Sequence, residues 1–241
     1  MKIKWFGHSA FGLTSESGQV ILTDPYEPGG YNGAVGYKPI SITPDIVTVS
    51  HSHADHNYIK ALPGSTNPDG FSERDPEGTA YSEPGTGKPT IIDKKGNYEI
   101  AGIKITGIPV YHDTKQGQER GNNIIFVYEI DGLRIAHCGD LGHLLSDKDI
   151  AALGRIDIIL IPVGGYFTID AAQATEVMQK IKPKIVIPMH YKTEVLDFPI
   201  AKVDEFLKGK KNVKRASASE VSVTRETLPS ETEVWILPYA K

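Results

Sequence analysis

The sequence has a single cysteine, Cys138, in 241 residues. One cysteine cannot form an intrachain disulfide, which favours a reducing compartment, and we expect Cys138 to be an inert core residue at a strand end. No stretch of eighteen consecutive apolar residues occurs, so the sequence predicts no transmembrane span. The amino terminus also lacks the apolar run of a signal peptide. These absences predict a cytoplasmic protein.

Positive charge is also scarce. The chain has 26 Lys and Arg against 30 Asp and Glu, a formal net charge of −4. A protein that binds nucleic acid or a membrane surface would instead show a basic patch or face. We therefore expect a small molecule as the partner, with neither nucleic acid nor membrane. The composition is compatible with a homo-oligomer.

Short strands dominate the first part of the chain, and β-α-β units follow. Strand patterns cover 2–6, 11–14, 19–23, 44–50, 98–110, 124–130 and 133–137. Later segments predict a strand over 157–162, a helix over 170–181, a strand over 184–188 and a helix over 199–207. The stretch 24–39 is expected to be a loop, and 63–89 a surface loop or an ordered insertion. This order predicts two packed sheets with helices outside, in one α/β domain over 1–241.

Three histidines and an aspartate lie within six residues, from His51 to His56, directly after a predicted buried strand. Alternation in an extended chain puts His51, His53 and Asp55 on one side, and a turn at Asp55 would return His56 to the same space. Imidazole and carboxylate suit Zn, Fe or Mn. The alternative is a polar loop that faces water, which this spacing disfavours. The pattern therefore predicts a metal site.

Three more metal-capable residues each follow a hydrophobic strand: His112, Asp140 and His190. The ends of strands are where an α/β sheet presents its functional edge. Any one of these residues alone would more often be a solvated loop residue, but all three occur together with the histidine cluster. Seven ligands are what two ions need if each keeps a position for water. We therefore expect two divalent transition metal ions, zinc first, with Mn or Fe as alternatives.

The order His-x-His-x-Asp-His, followed by a lone His, a lone Asp and a lone His, resembles the metallo-β-lactamase fold superfamily across nearly the whole chain. Segments 5–10 (WFGHSA) and 22–25 (LTDP) are similar to a branch of metal-dependent hydrolases that resembles the ascorbate-6-phosphate lactonases and N-acyl-phosphatidylethanolamine phospholipases. Segment 164–170 agrees, although the branch often has His at the position of Tyr166. The resemblance implies a four-layer αβ/βα sandwich of two mixed sheets with helices outside.

By position, the resemblance implies two metal sites and one bridging acid: His51, His53 and His112; Asp55, His56 and His190; and Asp140 as the bridge. An acid rather than a cysteine at the bridging position indicates a binuclear hydrolase rather than a true β-lactamase. Asp24 would accept a hydrogen bond from a ligand imidazole and fix its tautomer. The alternative for Asp24 is a turn residue before Pro25.

The chemistry needs these residue types. Two cations that share a water lower its pKa and hold a hydroxide in line with an electrophile. Asp55 could relay a proton, because a carboxylate binds metal through one oxygen and leaves the other free. His8 is a further catalytic candidate that would line the cleft. His143 either approaches the site or faces water, and His137 is expected to be a buried structural residue.

Loop residues near the ligands could hold an anionic group of the substrate: Lys115, Arg120, Tyr166, Tyr191 and Lys192. The alternative for each is a solvated loop side chain. The walls of the pocket are expected to come from the loops 24–39, 63–89 and 113–121.

The sequence therefore predicts a binuclear metal-dependent hydrolase of a small, anionic ester, lactone or phosphodiester. Two alternatives stay open. One is a nuclease or RNA-processing enzyme, against which the acidic balance and the lack of a basic aromatic face both argue. The other is a redox or binding module that holds metal without hydrolytic activity.

Overall fold

The computed structural model describes residues 1–60, 62 and 88–241, which form two mixed β-sheets and three short helices. Most of the predicted loop 63–89 therefore lies outside the described residues. The strands are β1 (Lys2–Gly7), β2 (Ala10–Thr14), β3 (Val20–Thr23), β4 (Ile46–Thr48), β5 (Thr90–Ile92), β6 (Gly96–Ile100), β7 (Ile103–Tyr111), β8 (Asn122–Ile130), β9 (Leu133–His137), β10 (Ile158–Pro162), β11 (Ile185–Met189), β12 (Val213–Arg215), β13 (Glu220–Ser222) and β14 (Glu233–Ile236).

The first sheet has the strand order β13-β1-β2-β3-β4-β5, and the second has the order β12-β14-β11-β10-β9-β8-β7-β6. The three helices all lie in connections of the second sheet: α1 (Asp147–Leu153), α2 (Ala171–Ile181) and α3 (Val203–Leu207). The two mixed sheets of the predicted α/β sandwich are thus confirmed. In the described part of the chain, no helix is both long and apolar enough to cross a membrane.

One buried core joins the two sheets. Strands β10 and β11 are buried along their whole length and pair in parallel, as expected for strands covered on both faces. The first sheet contributes Trp5 of β1, which stacks on its cross-strand neighbour Phe11 of β2 with ring centroids 6.3 Å apart. The hydroxyl groups of Thr48 in β4 and Tyr128 in β8 share a buried hydrogen bond of 2.6 Å. The first sheet is therefore tied to the second close to the end of β4.

The topology directs six strand ends to one edge. In the first sheet, β1, β3 and β4 run in the same direction, because β1 and β3 are both antiparallel to β2 and β4 is parallel to β3. In the second sheet, β7, β9 and β11 likewise share one direction. Each of these strands is followed within a few residues by a predicted site residue: His8, Asp24, His51, His112, Asp140 and His190.

Helix α2 starts with a capping box that can be tested. The Asp170 side chain accepts the backbone N–H groups of Ala172 and Gln173, both at 2.9 Å, and the Gln173 side chain accepts the backbone N–H of Asp170 at 3.0 Å. Replacing an N-cap aspartate removes a partner from helix N–H groups that have no other.

We therefore expect Asp170→Ala to lower the free energy of unfolding by about 1 kcal/mol in urea titrations. Glu176→Ala on the same helix is the control, because its i,i+4 pair with Lys180 at 3.1 Å is surface-exposed and worth only about 0.3–0.5 kcal/mol. Equal losses for the two variants would contradict the capping role.

Candidate metal centre

The predicted ligands converge at the common strand edge. Within the described residues, three sets of side chains have potential ligand atoms that all lie within 4.8 Å of one another. Two of them are separate groups: His51, His53 and His112; and His8, Asp55, His56 and His190. The third set, Asp24, His51 and His56, overlaps both groups. The second group is entirely buried. The two groups correspond to the two sites predicted from the sequence, with His8 as an additional member of the second.

Asp140 lies between the two groups. Its Oδ2 is 3.2 Å from Nε2 of His112 and 3.3 Å from Nε2 of His190, and its Oδ1 is 3.2 Å from Nε2 of His56. Its backbone N–H donates to Asn123 Oδ1 at 3.1 Å, which holds the turn after β9 in place. One carboxylate therefore contacts histidines from both groups, which is the arrangement required of a bridging ligand.

Gly139 lets Asp140 approach this closely. Its φ of 52° lies in the left-handed region, and an added Cβ would be 2.4 Å from Asn123 Oδ1 and 2.5 Å from Ser50 Cβ. A side chain at this position would push the turn after β9 away from the turn after β4. The glycine therefore allows ligands from the two sheets to meet.

Asp24 supports the cluster from behind. It is fully buried and accepts three hydrogen bonds: from the Ser50 backbone N–H at 2.7 Å, from the Ser50 hydroxyl at 2.6 Å and from His56 Nδ1 at 2.9 Å. The proton of His56 is thereby placed on Nδ1, and Nε2 is directed toward Asp140. The geometry therefore gives Asp24 the role of fixing the tautomer of His56. Asp24 also directly precedes Pro25 in the chain.

His8 is placed against Asp55. The His8 ring is fully buried, lies 4.2 Å from the His190 ring by centroid distance, and places Nε2 3.0 Å from Asp55 Oδ2. The other oxygen of Asp55 accepts the hydroxyl of Tyr31 at 3.2 Å. The sequence predicted that one oxygen of Asp55 would be free, whereas the structure gives each oxygen a hydrogen-bond partner.

Electrostatics make most of these groups competent as ligands. Burial disfavours a charged Asp140, but the neighbouring His190 and His56 rings outweigh it and hold the pKa of Asp140 well below its usual value. Burial, followed by the charge of His56, lowers the pKa of His51 to about 3, so its lone pair is available at neutral pH. Burial opposes protonation of His56 too, but Asp140 and Asp55 raise its pKa well above normal. A metal ion at His56 would therefore displace a proton.

The cluster has the chemistry of a transition-metal site. His56 Nε2 and Asp140 Oδ1 are buried and lie 3.2 Å apart, but neither forms a hydrogen bond of regular geometry with a described residue. Buried polar atoms are rarely left without partners, and a cation between them would satisfy both. Imidazole and carboxylate donors suit Zn, Mn and Fe. The residues present therefore fit a divalent transition metal.

A cavity of about 210 Å³ opens onto this cluster. Beside the ligands, its described lining includes Tyr31, Arg120, Phe167 and Phe198. Arg120 was predicted as a substrate residue, and the two loops 24–39 and 113–121 contribute Tyr31 and Arg120. The three aromatic residues were not predicted, because an aromatic side chain in a loop carries no signal of the direction in which it points.

The other four predicted substrate residues lie outside the described lining of this cavity. Lys115 is exposed and forms an ion pair with Glu119 at 2.6 Å, and Lys192 pairs with Asp197 at 2.8 Å. Tyr166 is 67% exposed to solvent, and the ring of Tyr191 packs on Trp5 with a centroid distance of 5.2 Å. We therefore do not place these residues in the substrate site.

The two remaining histidines are held by backbone groups. His143 accepts the backbone N–H of Tyr111 at 3.2 Å, its Nδ1 is 2.9 Å from the Leu144 carbonyl, and it joins neither ligand group. His137 is fully buried, with Nε2 donating to the Ser9 carbonyl at 2.8 Å and Nδ1 accepting the Gly139 N–H at 3.2 Å. The geometry of His137 is that of a structural residue beneath the site.

Comparison with known proteins agrees with the fold and the cluster. A Beta-lactamase superfamily domain model matches residues 2–190. A UPF0173 metal-dependent hydrolase of Archaeoglobus fulgidus is 32% identical over 213 residues, 85% of this chain and 87% of that protein. A similarly named protein of Thermoplasma acidophilum is 33% identical over 196 residues, 80% of this chain and 84% of that one. A metallo-β-lactamase superfamily structure from Thermotoga maritima is 33% identical, covers 98% of this chain and 97% of its own, and has a TM-score of 0.72.

Metal content is the direct test of the cluster. We expect protein incubated with Zn or Mn and then desalted to retain up to two equivalents by elemental analysis, because seven candidate ligands converge. EDTA should lower the melting temperature, since an ion that binds only the folded chain adds about 2.7 kcal/mol at a hundred times its Kd. A well-folded preparation that retains no divalent metal at any concentration would rule out the metal centre.

Proposed function

The chain belongs to the β-lactamase superfamily and is a metal-dependent hydrolase, and we propose that it uses two divalent metal ions, zinc first, to hydrolyse a small, anionic ester, lactone or phosphodiester. The observation that carries this proposal is the position of Asp140. Its carboxylate oxygens lie 3.2–3.3 Å from histidines of both ligand groups.

The proposed ligands are those predicted from the sequence. His51, His53 and His112 would hold one ion, Asp55, His56 and His190 the other, and Asp140 both. Bound there, such ions supply a lowered pKa for a shared water and polarisation of the carbonyl or phosphoryl oxygen under attack.

Residues around the ligands keep them in productive orientations. Asp24 holds the proton of His56 on Nδ1, at a distance of 2.9 Å. His8 contacts Oδ2 of Asp55 at 3.0 Å, which fixes the carboxylate and leaves Oδ1 toward Tyr31. Asp55 is the residue proposed to carry a proton to the leaving group, at Oδ1, where Tyr31 already supplies a hydrogen bond.

The cavity supports a small and negatively charged substrate. Its volume of about 210 Å³ is below the roughly 300–1,000 Å³ of sites for drug-sized ligands. With two divalent cations bound, their positive charge would exceed the negative charge of the Asp55 and Asp140 carboxylates. Arg120 adds a further positive charge. A polynucleotide would need a longer basic groove than this cavity offers.

A substrate panel tests the reaction class. With Zn or Mn added, we expect hydrolysis of bis(4-nitrophenyl) phosphate or of simple lactones, followed by nitrophenolate absorbance or acid release. The rate should fall at acidic pH, because the shared water reprotonates and the histidines release metal. Turnover confined to β-lactams or peptides would contradict the proposed substrate class.

Asp140 and Cys138 distinguish metal catalysis from thiol catalysis. We expect Asp140→Asn to weaken metal binding and to reduce turnover by more than the roughly 10- to 100-fold that loss of an outer partner of a metal site costs. Cys138 is fully buried, and burial raises the pKa of its thiol well above normal, so it is no nucleophile.

The matched variants Cys138→Ser and Cys138→Ala should therefore retain turnover. Metal content measured on the same preparations separates loss of ligand from loss of fold. Full activity in Asp140→Asn, together with none in either Cys138 variant, would overturn the metal mechanism.

A further inference from the structure

Three aromatic side chains from separate loops form one wall of the cavity, here called the aromatic wall: Tyr31, Phe167 and Phe198. Phe198 meets Tyr31 and Phe167 edge to face, with centroid distances of 5.5 and 5.8 Å. Phe198 also lies edge-on to His8 at 5.6 Å, so the wall adjoins the ligand cluster. Tyr31 and Phe167 remain partly exposed. A flat apolar group in the cavity would cover this ring surface.

A cation lies beside the aromatic wall. The guanidinium carbon of Arg120 is 5.9 Å from the ring centroid of Phe167. Its ion pair with Glu119 spans 4.0 Å, which is too long for a hydrogen bond. Within the described part of the chain, no carboxylate is hydrogen-bonded to this guanidinium, so its paired N–H donors are available to a bidentate anion.

The loop that carries Arg120 is fixed from inside. The Asp113 carboxylate accepts four backbone N–H groups, from Lys115 at 2.7 Å, Gly117 at 2.9 Å, Glu119 at 3.0 Å and Arg120 at 2.8 Å. Asp113 directly follows the ligand His112, so the backbone of Arg120 is held in a fixed relation to the metal centre. Such pre-organisation lowers the entropy cost of binding an anion.

The cavity thus presents three different surfaces to one small molecule. The histidines and carboxylates of the metal centre form the first, the aromatic wall the second, and the guanidinium of Arg120 the third. A substrate without an apolar face would leave the aromatic wall uncovered. A flat ring that carries an anionic substituent would match both the wall and the cation.

We infer that the substrate is a small ester, lactone or phosphodiester with a flat apolar group and a second anionic group, distinct from the group that is hydrolysed. The flat group lies against Tyr31, Phe167 and Phe198, and the second anion pairs with Arg120. This inference rests on the proposed hydrolytic function, and it is tested by binding rather than by turnover.

A series of phosphonates separates the three surfaces, because the phosphonate group is common to all of them. Calorimetry on the zinc-loaded protein compares methylphosphonate, phenylphosphonate, and 3- and 4-carboxyphenylphosphonate, with two ring positions to cover two spacings. We expect phenylphosphonate to bind at least about tenfold more tightly than methylphosphonate, through the aromatic wall. One carboxyphenyl isomer should bind about tenfold more tightly again, through a charge-assisted hydrogen bond to Arg120.

Variants show which surface produces each gain in affinity, that of the phenyl ring and that of the carboxylate. Arg120→Gln should abolish the advantage of the carboxylate and keep that of the phenyl ring. Phe167→Ala should reduce the advantage of the ring, and Phe167→Leu should restore part of it. Arg225→Gln removes a positive charge at an exposed position where the side chain donates to the Gly132 carbonyl at 2.8 Å, and it should change neither step.

Two results would overturn the inference. One is equal affinity of methylphosphonate and phenylphosphonate, or no gain from either carboxylate, in the unmodified protein, which needs no variant to fold. The other is an equal loss for all four ligands in Arg120→Gln, since this would indicate a general charge effect. If esters are hydrolysed but the four phosphonates bind with equal affinity, the proposed function stands and the inference fails. If the phosphonates bind in the expected order but no ester is hydrolysed, the proposed function fails and the assignment of the binding surfaces stands.

Discussion

The buried carboxylate of Asp24 is the interaction on which the rest of the site depends. A fully buried charge is costly unless it is hydrogen-bonded, and here three donors from Ser50 and His56 provide the compensation. These bonds join the end of β3 to the start and the end of the histidine-rich loop. The loop is therefore folded around an anion, and its ligand nitrogens face the opposite strand ends. Loss of the Asp24 carboxylate would remove the hydrogen bonds that hold this loop and would leave the tautomer of His56 unfixed.

Backbone strain accompanies this arrangement. His8, Asp24 and His190 are non-glycine residues with φ of 51°, 39° and 50°, in the left-handed region that such residues seldom adopt. All three directly follow a strand that ends at the edge where the candidate site lies: β1, β3 and β11. The conformation turns each side chain out of the strand direction and into the space between the sheets. Burial holds them there, and the His8 carbonyl accepts the backbone N–H of His190 at 3.2 Å. The strain is therefore shared between the two sheets.

Sequence reasoning brought the candidate ligands together because the histidine-rich loop, His112, Asp140 and His190 each come after a hydrophobic strand. The strand 133–137 was predicted with the observed bounds, and the helix over 170–181 differs only in its N-cap, Asp170. The segment 98–110 was predicted as one strand but forms two, because Ala101 and Gly102 adopt positive φ and make a hairpin. The helix α1 was missed, as were the strands β5, β12, β13 and β14, since these strands are short and stabilised by pairing with distant strands rather than by local pattern.

Substrate residues were harder to predict than ligands for a physical reason. A lysine in a loop pairs with whichever carboxylate is nearest, and Glu119 and Asp197 take Lys115 and Lys192 away from the cavity. Nothing in the sequence determines which carboxylate a lysine pairs with, because the contributions of alternative exposed ion pairs to stability differ by less than about 1 kcal/mol.

The aromatic wall has the opposite character, since its position follows from the packing of three loops that are far apart in sequence. Apolar rings beside the candidate metal centre would displace water next to a bound substrate, and a lower local dielectric would strengthen its charge interactions. The residues that sequence reasoning could not find are therefore those whose positions depend on tertiary packing rather than on local sequence pattern.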